Sequence, residues 1–164
     1  MIGVSLNAEK TRLVTLTDRN AVFAFLGFDF RWEPNEKTGR PYPHTTPRKK
    51  KVIEVLRAVT AKLARNRDYR SVQEAIREIN PILRGWVNYF RVGNSSRAFD
   101  KVKWHVEHKV RRFAVKKLKR KGFGWSRWSS DDVYRKWGLF NDYRIRYYAA
   151  AKASGRPNGT ITPT

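Results

Sequence analysis

The chain has 164 residues, of which 40% are hydrophobic, so it can bury the core of one domain and is not a disordered polycation. Its formal net charge of +22 favours a polyanionic partner, with nucleic acid ahead of an anionic membrane surface. The sequence has no cysteine, no export signal and no apolar run of membrane-spanning length. This composition excludes disulfides and a thiolate zinc site, and we expect a cytoplasmic protein with no membrane partner.

Positive charge is concentrated in the second part of the chain. Residues 1–47 carry six basic and five acidic side chains, so nearly all of the surplus lies in residues 48–164. Between Lys109 and Lys121 there are eight basic residues and no acidic one. We therefore expect the partner-binding surface to lie in this second part.

The first 47 residues are predicted to hold a β-hairpin followed by a linker. Strands are predicted at residues 13–16 and 22–32, joined at "TDRNA", and the second is apolar on both faces, as is typical of a covered strand. Gly27 within it indicates a bulge or a close backbone approach. Residues 33–47 contain four of the seven prolines, which favours a loop or linker.

Helical periodicity begins at Arg48 and continues through two helices. The second helix begins at "SVQE", where Ser71 and Glu74 match a capping box. Pro81 has no amide hydrogen and is expected to kink this helix near Arg77, and Gly93-Asn94 should end it. The apolar positions at helical spacing are Val52, Val55, Leu56, Val59 and Leu63 in the first helix and Val72, Ile76, Ile79, Leu83, Trp86 and Phe90 in the second.

A third, strongly amphipathic helix is predicted at about 97–121, capped by Ser95-Ser96 and closed by Gly122. Its apolar residues occupy one sector and its basic residues cluster around the opposite pole. A short helix should begin near Ser130. The apolar sector of the third helix consists of Phe99, Val102, Val106, Val110 and Phe113.

Three groups of side chains are candidates for contacts with nucleic acid. Guanidinium groups bridge phosphate oxygens and stack on bases, Asn88 can bond a base edge, and Trp125 and Trp128 of "GFGWSRWSS" can stack on unpaired bases. The kink and the Gly-Asn break should place the third helix beside the second, so that the two offer a groove for an RNA backbone. The candidate contacts are Lys49, Lys50, Lys51, Arg77, Arg84, Asn88, Arg91, Lys101, Arg111, Arg112, Lys116, Lys117, Lys119, Arg120, Lys121, Trp125, Arg127 and Trp128.

Each group also has a structural interpretation that the sequence leaves open. A charged face can be merely solvated, and arginines beside Trp86 and Phe90 can stack internally. Trp125 and Trp128 can pack under the last helix. His105 and His108 stand one turn apart but lack further ligands, so we expect no metal site and no cofactor.

Residues 79–99, "INPILRGWVNYFRVGNSSRAF", resemble the signature of the maturase-specific domain, also called domain X or thumb, of group II intron-encoded proteins. Upstream, "GVSLNAEKTRLV" and "FLGFDF" resemble the last palm blocks of the reverse transcriptase in the same family. Downstream, "RRFAVKKLKRKGFGWSRWSSDDVYRKWGLFNDYRI" is similar to the family's C-terminal part.

The resemblance implies a mainly α fold. It places a small helical bundle, the thumb or maturase domain, at residues 48–151. A palm-remnant β-hairpin at 1–32 and a linker at 33–47 precede it, and a flexible tail at 152–164 follows.

The resemblance also implies a function. Such proteins of mobile genetic elements bind group II intron RNA and hold it in the form that splices itself, so we expect structured intron RNA as the partner in a bacterial, cytoplasmic ribonucleoprotein. DNA would be a further partner in retrohoming, and a reverse transcriptase palm would be another. The sequence does not distinguish a stand-alone maturase from a piece of a longer protein.

We expect no catalytic residues. Reverse transcription requires metal-binding aspartates in a YxDD block, because two cations must activate and stabilise the reacting oxygens, and this sequence has no such block. Asp131-Asp132 is expected to cap a helix instead. The family's endonuclease carries paired cysteines, which are absent here.

Three other interpretations remain open at this point. The chain can be a reverse transcriptase module that works only with a separate palm, or a general nucleic-acid-binding protein. It can also be a decaying product whose apolar hairpin, deprived of palm neighbours, makes it unstable.

Overall fold

Three antiparallel strands, three long helices and one short helical turn make up the part of the chain that the computed structural model describes, residues 21–65 and 68–146. About half of this part is helical, so the fold is mixed rather than mainly α. The elements are β1 (Val22–Phe25), β2 (Phe28–Pro34), β3 (Pro41–Pro47), α1 (Lys49–Arg65), α2 (Val72–Phe90), α3 (Ser96–Lys117) and a π-helical turn (Asp132–Lys136).

The segment predicted as one strand at 22–32 is a hairpin. Phe25 pairs with Phe28 across a two-residue turn at Leu26 and Gly27, whose φ angles are +48° and +82°. Turns of this left-handed kind match the twist of the two strands, and glycine adopts the angle without steric cost. A Cβ on Gly27 would lie 3.4 Å from Phe90, an ordinary contact, so the glycine serves the turn and not the bulge or close approach that the sequence indicated. The strand predicted at 13–16 lies outside the described residues.

The linker predicted at 33–47 is confirmed only at residues 35–40, which form a loop, and is wrong for the rest. Residues 41–47 form β3, which pairs with β2 in continuous register from Phe28↔Pro47 to Pro34↔Pro41. The sheet therefore has the order β1-β2-β3 and reaches directly to the start of α1. The tail predicted at 152–164 lies outside the described residues.

The predicted apolar stripes of the three helices form a main core, and Phe90 and Phe99 join Phe28 and Val87 in a second cluster beside the sheet. Val59, Ile79, Leu83, Val102 and Val106 have no exposed surface or next to none. Each fully buried aliphatic side chain of this kind contributes about 1.5–3 kcal/mol relative to the exposed state. The core therefore lies among α1, α2 and α3, as the helical periodicity predicts.

The predicted start of α2 is confirmed. The amide of Glu74 donates to Ser71 Oγ over 3.1 Å, and the Glu74 carboxylate accepts from the Arg70 amide over 2.7 Å. Pro81 lies inside the helix, and the predicted kink stays a prediction. Ser95 precedes α3 as expected, but its hydroxyl donates to the Val92 carbonyl and does not cap the helix.

The third helix ends four residues earlier than predicted, and Gly122 does not close it. Lys119 takes the left-handed conformation, with φ of +50°. The amide of Arg120 then donates to the Val115 carbonyl over 2.8 Å, and the Lys119 amide donates to Lys116 over 3.2 Å. This pair of bonds is a Schellman cap, so a lysine takes the position that glycine usually occupies.

The sheet contacts the helices through packed aromatic rings and through hydrogen bonds. The ring of Phe28 is buried edge-on against Phe90, with centroids 4.9 Å apart. The Tyr89 hydroxyl donates to the Leu26 carbonyl over 2.9 Å, and the Asn94 amide donates to the Thr45 carbonyl over 2.7 Å. The hairpin therefore has helical neighbours that cover one of its faces.

Candidate nucleic-acid interface

One side of α3 presents a row of cations, which we call the α3 basic face and define as Lys101, Lys109, Arg112 and Lys116. Lys101, Arg112 and Lys116 are exposed and Lys109 is half-buried. Within residues 21–65 and 68–146, none of the four forms an ion pair. Lys109, Arg112 and Lys116 follow one another at three- and four-residue spacing, and Lys101 lies eight residues before Lys109, so the four line one side of the helix.

A groove between α1 and α3 runs beside this face. Leu63, Ala64 and Phe113 contribute apolar walls to it, and cations of α3 line its other side. The basic residues along the groove are Lys109, Arg112, Lys116, Lys117 and Lys119. The sequence predicted a groove between α2 and α3, whereas this basic groove lies between α1 and α3.

The segment that follows α3 extends the positive surface. Lys119, Arg120, Lys121 and Arg127 are all exposed. Lys117 is half-buried at the end of the helix. These predicted contacts remain accessible to a ligand, and Lys117 and Lys119 lie on the groove beside the α3 basic face.

The predicted contacts on α2 form a separate group. Arg77, Arg84 and Asn88 line a shallow groove together with Asn80 and Pro81. Asn80 holds the C-terminal segment, because its side chain donates to the Gly138 carbonyl and accepts from the Phe140 amide, each over 2.9 Å.

The three lysines at the start of α1 are exposed and do not share one environment. Lys51 pairs with Glu54 over 2.7 Å, whereas Lys49 and Lys50 have no ion pair within the described residues. The helix dipole is positive at the N-terminus of α1 and therefore unfavourable for these cations, and the first turn contains no acidic residue that would offset it. A bound phosphate would relieve that repulsion.

Arg111 is not available as an RNA contact, which corrects the sequence prediction. Its side chain is 1% exposed, and Nη2 donates to Glu107 Oε1 over 2.5 Å. Nη1 donates to the Trp128 carbonyl, and Ser130 and Tyr134 donate to the same Glu107 carboxylate over 2.9 Å each. Burial raises the pKa of Glu107, but these hydrogen bonds outweigh burial and hold it below its usual value.

Arg91 is the second predicted contact that the structure assigns to the interior. It is 5% exposed, and Nη2 donates to Asp142 Oδ2 over 2.9 Å. Its Nε donates to Asn88 Oδ1 over 3.0 Å, and the hydrogen bond from Arg91 lowers the pKa of Asp142. This arginine therefore fastens the C-terminal segment to the end of α2.

The two tryptophans of "GFGWSRWSS" have different environments. Trp128 packs edge-on against Trp137, with ring centroids 5.1 Å apart, and belongs to the rim of the core. This position favours the packing interpretation of Trp128 that the sequence left open beside base stacking. Trp125 is partly exposed, and the Arg111 guanidinium lies 4.4 Å from its ring centroid.

Sequence reasoning missed two exposed aromatic residues beside the α3 basic face. Trp104 stands outside the apolar stripe of α3, and Phe123 follows the basic run, yet both rings remain in contact with solvent. The signal was present, because a tryptophan on the charged side of an amphipathic helix breaks its pattern.

Within the part of the chain that the structure describes, the histidines of α3 belong to no cluster of metal-ligating side chains. Among residues 21–65 and 68–146, no three His, Cys, Asp or Glu side chains come together as metal ligands. Burial, with the positive charges of Lys109, His108 and Lys101, lowers the pKa of His105. No helix in the same described part is long and apolar enough to cross a membrane.

Comparison with known protein families identifies a match in the helical part of the chain. Residues 52–131 match the family model described as "Group II intron, maturase-specific domain". This range contains most of α1, all of α2 and α3, and the segment carrying Trp125 and Trp128. Comparisons with curated proteins and with solved structures find no significant match.

Proposed function

We propose that the chain binds group II intron RNA directly, because residues 52–131 match the model of the group II intron maturase-specific domain, which supports a role in group II intron splicing. In this proposal the protein stabilises the fold in which the RNA splices itself. The RNA carries out the transesterification, and the protein supplies positive charge on a rigid support.

The observation that carries the proposal is the contrast between buried and exposed cations. The buried guanidinium groups of Arg91 and Arg111 have carboxylate partners. The cations of the α3 basic face have none within the described residues. Unpaired surface cations repel one another, and phosphates that replace their counterions remove that repulsion while releasing ions into solution.

The same arrangement supports a mechanism. A folded ribozyme brings its own phosphates together, and a row of fixed cations offsets their mutual repulsion. α3 holds its cations at helical spacing, and the bonds among Glu107, Arg111 and Tyr134 hold the following segment against the helix. A rigid surface costs less entropy on binding than a flexible one would.

We further propose that the chain has no polymerase or endonuclease activity of its own. Its adjacent aspartates are engaged locally: Asp131 pairs with Arg135 over 2.9 Å, and Asp132 accepts from the Ser129 amide over 2.8 Å. The hydrogen bond from Lys136, with those from Ser129, lowers the pKa of Asp132 to about 2. This supports the predicted capping role for Asp132, whereas Asp131 makes no side-chain cap hydrogen bond.

A competition experiment tests the proposal. The chain is bound to labelled group II intron RNA, and unlabelled intron RNA or random duplex DNA of equal length is added at moderate salt. We expect the intron RNA to displace the label at a much lower concentration than the DNA. Equal competition would contradict the proposal and favour a general nucleic-acid-binding protein.

Charge reversal identifies the surface. Arg112→Glu with Lys116→Glu should weaken intron RNA binding and reduce the dependence of log K on log salt by about 0.7–0.9 for each phosphate that the variant no longer neutralises. Lys37→Glu with Arg40→Glu is the matched control, since both residues are exposed in the β2–β3 loop and the net charge changes equally. Equal weakening by the two pairs would mean that only total charge matters.

A further inference from the structure

Four rings form a cluster on the surface of α3 and the segment after it, which we call the aromatic platform: Trp104, His108, Phe123 and Trp125. Trp104 and His108 stand one helical turn apart and stack with centroids 5.4 Å apart and 9° between the planes. Phe123 and Trp125 approach His108 with centroid distances of 6.3 and 6.1 Å.

The rings of the platform are exposed to solvent, although burying an aromatic ring usually stabilises the folded protein. Trp104 is 61% exposed and Phe123 is 59% exposed. Phe99, on the same helix, is 1% exposed in the core. Several exposed aromatic rings gathered in one place mark an interaction surface more often than single exposed apolar residues do.

Cations surround and support these rings. The Arg112 guanidinium lies 5.6 Å from the centroid of Phe123, and that of Arg111 lies 4.4 Å from the centroid of Trp125. Lys101 precedes Trp104 by three residues and so lies beside it on the helix. Arg111 is already buried and paired with Glu107, but covering the platform with an apolar partner would take the exposed charges of Lys101 and Arg112 out of water, at a cost in free energy. A second copy of the chain would bring its own charge of +22 and be repelled.

We infer that the aromatic platform binds unpaired bases of single-stranded RNA. Every base has a flat face that stacks on an aromatic ring, and its phosphate is a partner for the adjacent cation. From Lys101 to Arg112, α3 advances about 16 Å. A short single strand can therefore place its bases on the rings and its phosphates on the cations at either end.

This inference deepens the proposed function and rests on it for the choice of nucleic acid. The α3 basic face gives affinity for any phosphate backbone, whereas the platform distinguishes unpaired from paired regions. Bases in a duplex are already stacked on one another and present no face to a protein ring. The platform would therefore direct the chain to loops, bulges and ends of a folded RNA.

The test compares a single strand with a duplex. The single strand is an RNA of about 12 nucleotides with alternating cytidine and adenosine, which does not pair with itself, and the duplex is this strand with its complement. Trp104→Ala with Phe123→Ala should weaken binding of the single strand by about 5- to 100-fold. The same variant should bind the duplex with nearly the parent's affinity, as measured by fluorescence anisotropy of the labelled RNA.

Two controls separate stacking from a general effect. Trp104→Phe keeps a flat ring and should retain most of the single-strand affinity. Phe25→Ala removes a comparably exposed ring, 58% exposed on β1, and should leave both affinities unchanged. Equal weakening for single strand and duplex, or no weakening at all, would overturn the inference. Sedimentation showing a dimer that Trp104→Ala dissociates would assign the platform to a second copy and overturn it as well.

Failure of the platform and failure of the proposed function give different results. If the chain does not prefer intron RNA, the competition with duplex DNA fails while the single-strand effect of Trp104 persists. If the platform does not stack on bases, the single-strand effect is absent while charge reversal on the α3 basic face still weakens intron RNA binding.

Discussion

Replacing Arg111 with methionine should lower the free energy of unfolding by about 3 kcal/mol. Breaking a buried ion pair by removing one partner costs about 3–5 kcal/mol, because the remaining charge is left uncompensated. Glu107 would keep its hydrogen bonds from Ser130 and Tyr134, which favours the lower end of that range. For a chain of this size, the destabilisation corresponds to a decrease in melting temperature of about 10 °C.

Arg112→Met is the matched control for this prediction. The neighbouring side chain is exposed and has no ion pair within the described residues, so its replacement should change the unfolding free energy by less than about 0.5 kcal/mol. It should instead weaken RNA binding and reduce the slope of log K against log salt concentration by about one. Urea unfolding and filter binding measure the two effects. If Arg111→Met left stability unchanged, or if Arg112→Met were the destabilising variant, the structural assignment of the pair would be refuted.

Three further predictions concern the backbone, the pH dependence and the chemistry. Gly93→Ala should destabilise the fold by about 1–3 kcal/mol, because the φ angle of Gly93 is +69° and a Cβ there would lie 2.8 Å from the Thr45 carbonyl oxygen. Gly85→Ala, in open space within α2, should stabilise the fold slightly. Urea unfolding that ranks the two variants in reverse would contradict the turn geometry. Burial holds the pKa of His44 and His105 below their ordinary 6.5, so the unfolded state binds more protons than the folded state. The stability that these histidines contribute is complete above pH 6.5 and should fall as the pH drops through the lowered pKa values. Chemical denaturation that shows increased stability at pH 5 would contradict this prediction. In a primer-extension assay the chain alone should add no nucleotides, and extension would disprove the proposed absence of polymerase activity.

The helices were predictable from sequence because burial follows a simple period. Val102, Val106 and Val110 recur at four-residue spacing and are all fully buried. The Ser71 cap was also predictable, since its partner Glu74 lies three residues away. Local spacing carries this information without reference to the rest of the fold.

The sheet was not predictable in the same way. Prolines usually indicate a loop, because they cannot donate to a neighbouring strand. In β3, however, Pro41, Pro43 and Pro47 fall on alternate positions of an edge strand, where every second amide points away from β2. Their spacing is therefore compatible with pairing on one side. Recognising this requires knowing that β3 has no neighbour on its other side among the described strands.

The candidate site was predictable by composition but not residue by residue. Arg111 and Arg112 are adjacent in one basic run, and nothing in that run distinguishes a buried arginine from an exposed one. The difference arises because the segment around Trp128 folds back over one side of α3 and brings a carbonyl to Arg111. Long-range contacts of this kind also decide that Arg91 meets Asp142, which lies 51 residues away.

Splicing of a group II intron transcript at a magnesium concentration too low for the RNA alone tests the central claim most directly. The claim is that the α3 basic face stabilises the splicing-competent RNA. The parent chain and the Lys37→Glu/Arg40→Glu control should both increase the splicing rate, and Arg112→Glu/Lys116→Glu should not. If the last variant supported splicing as well as the parent, or if the parent had no effect on any such transcript, the account would be contradicted.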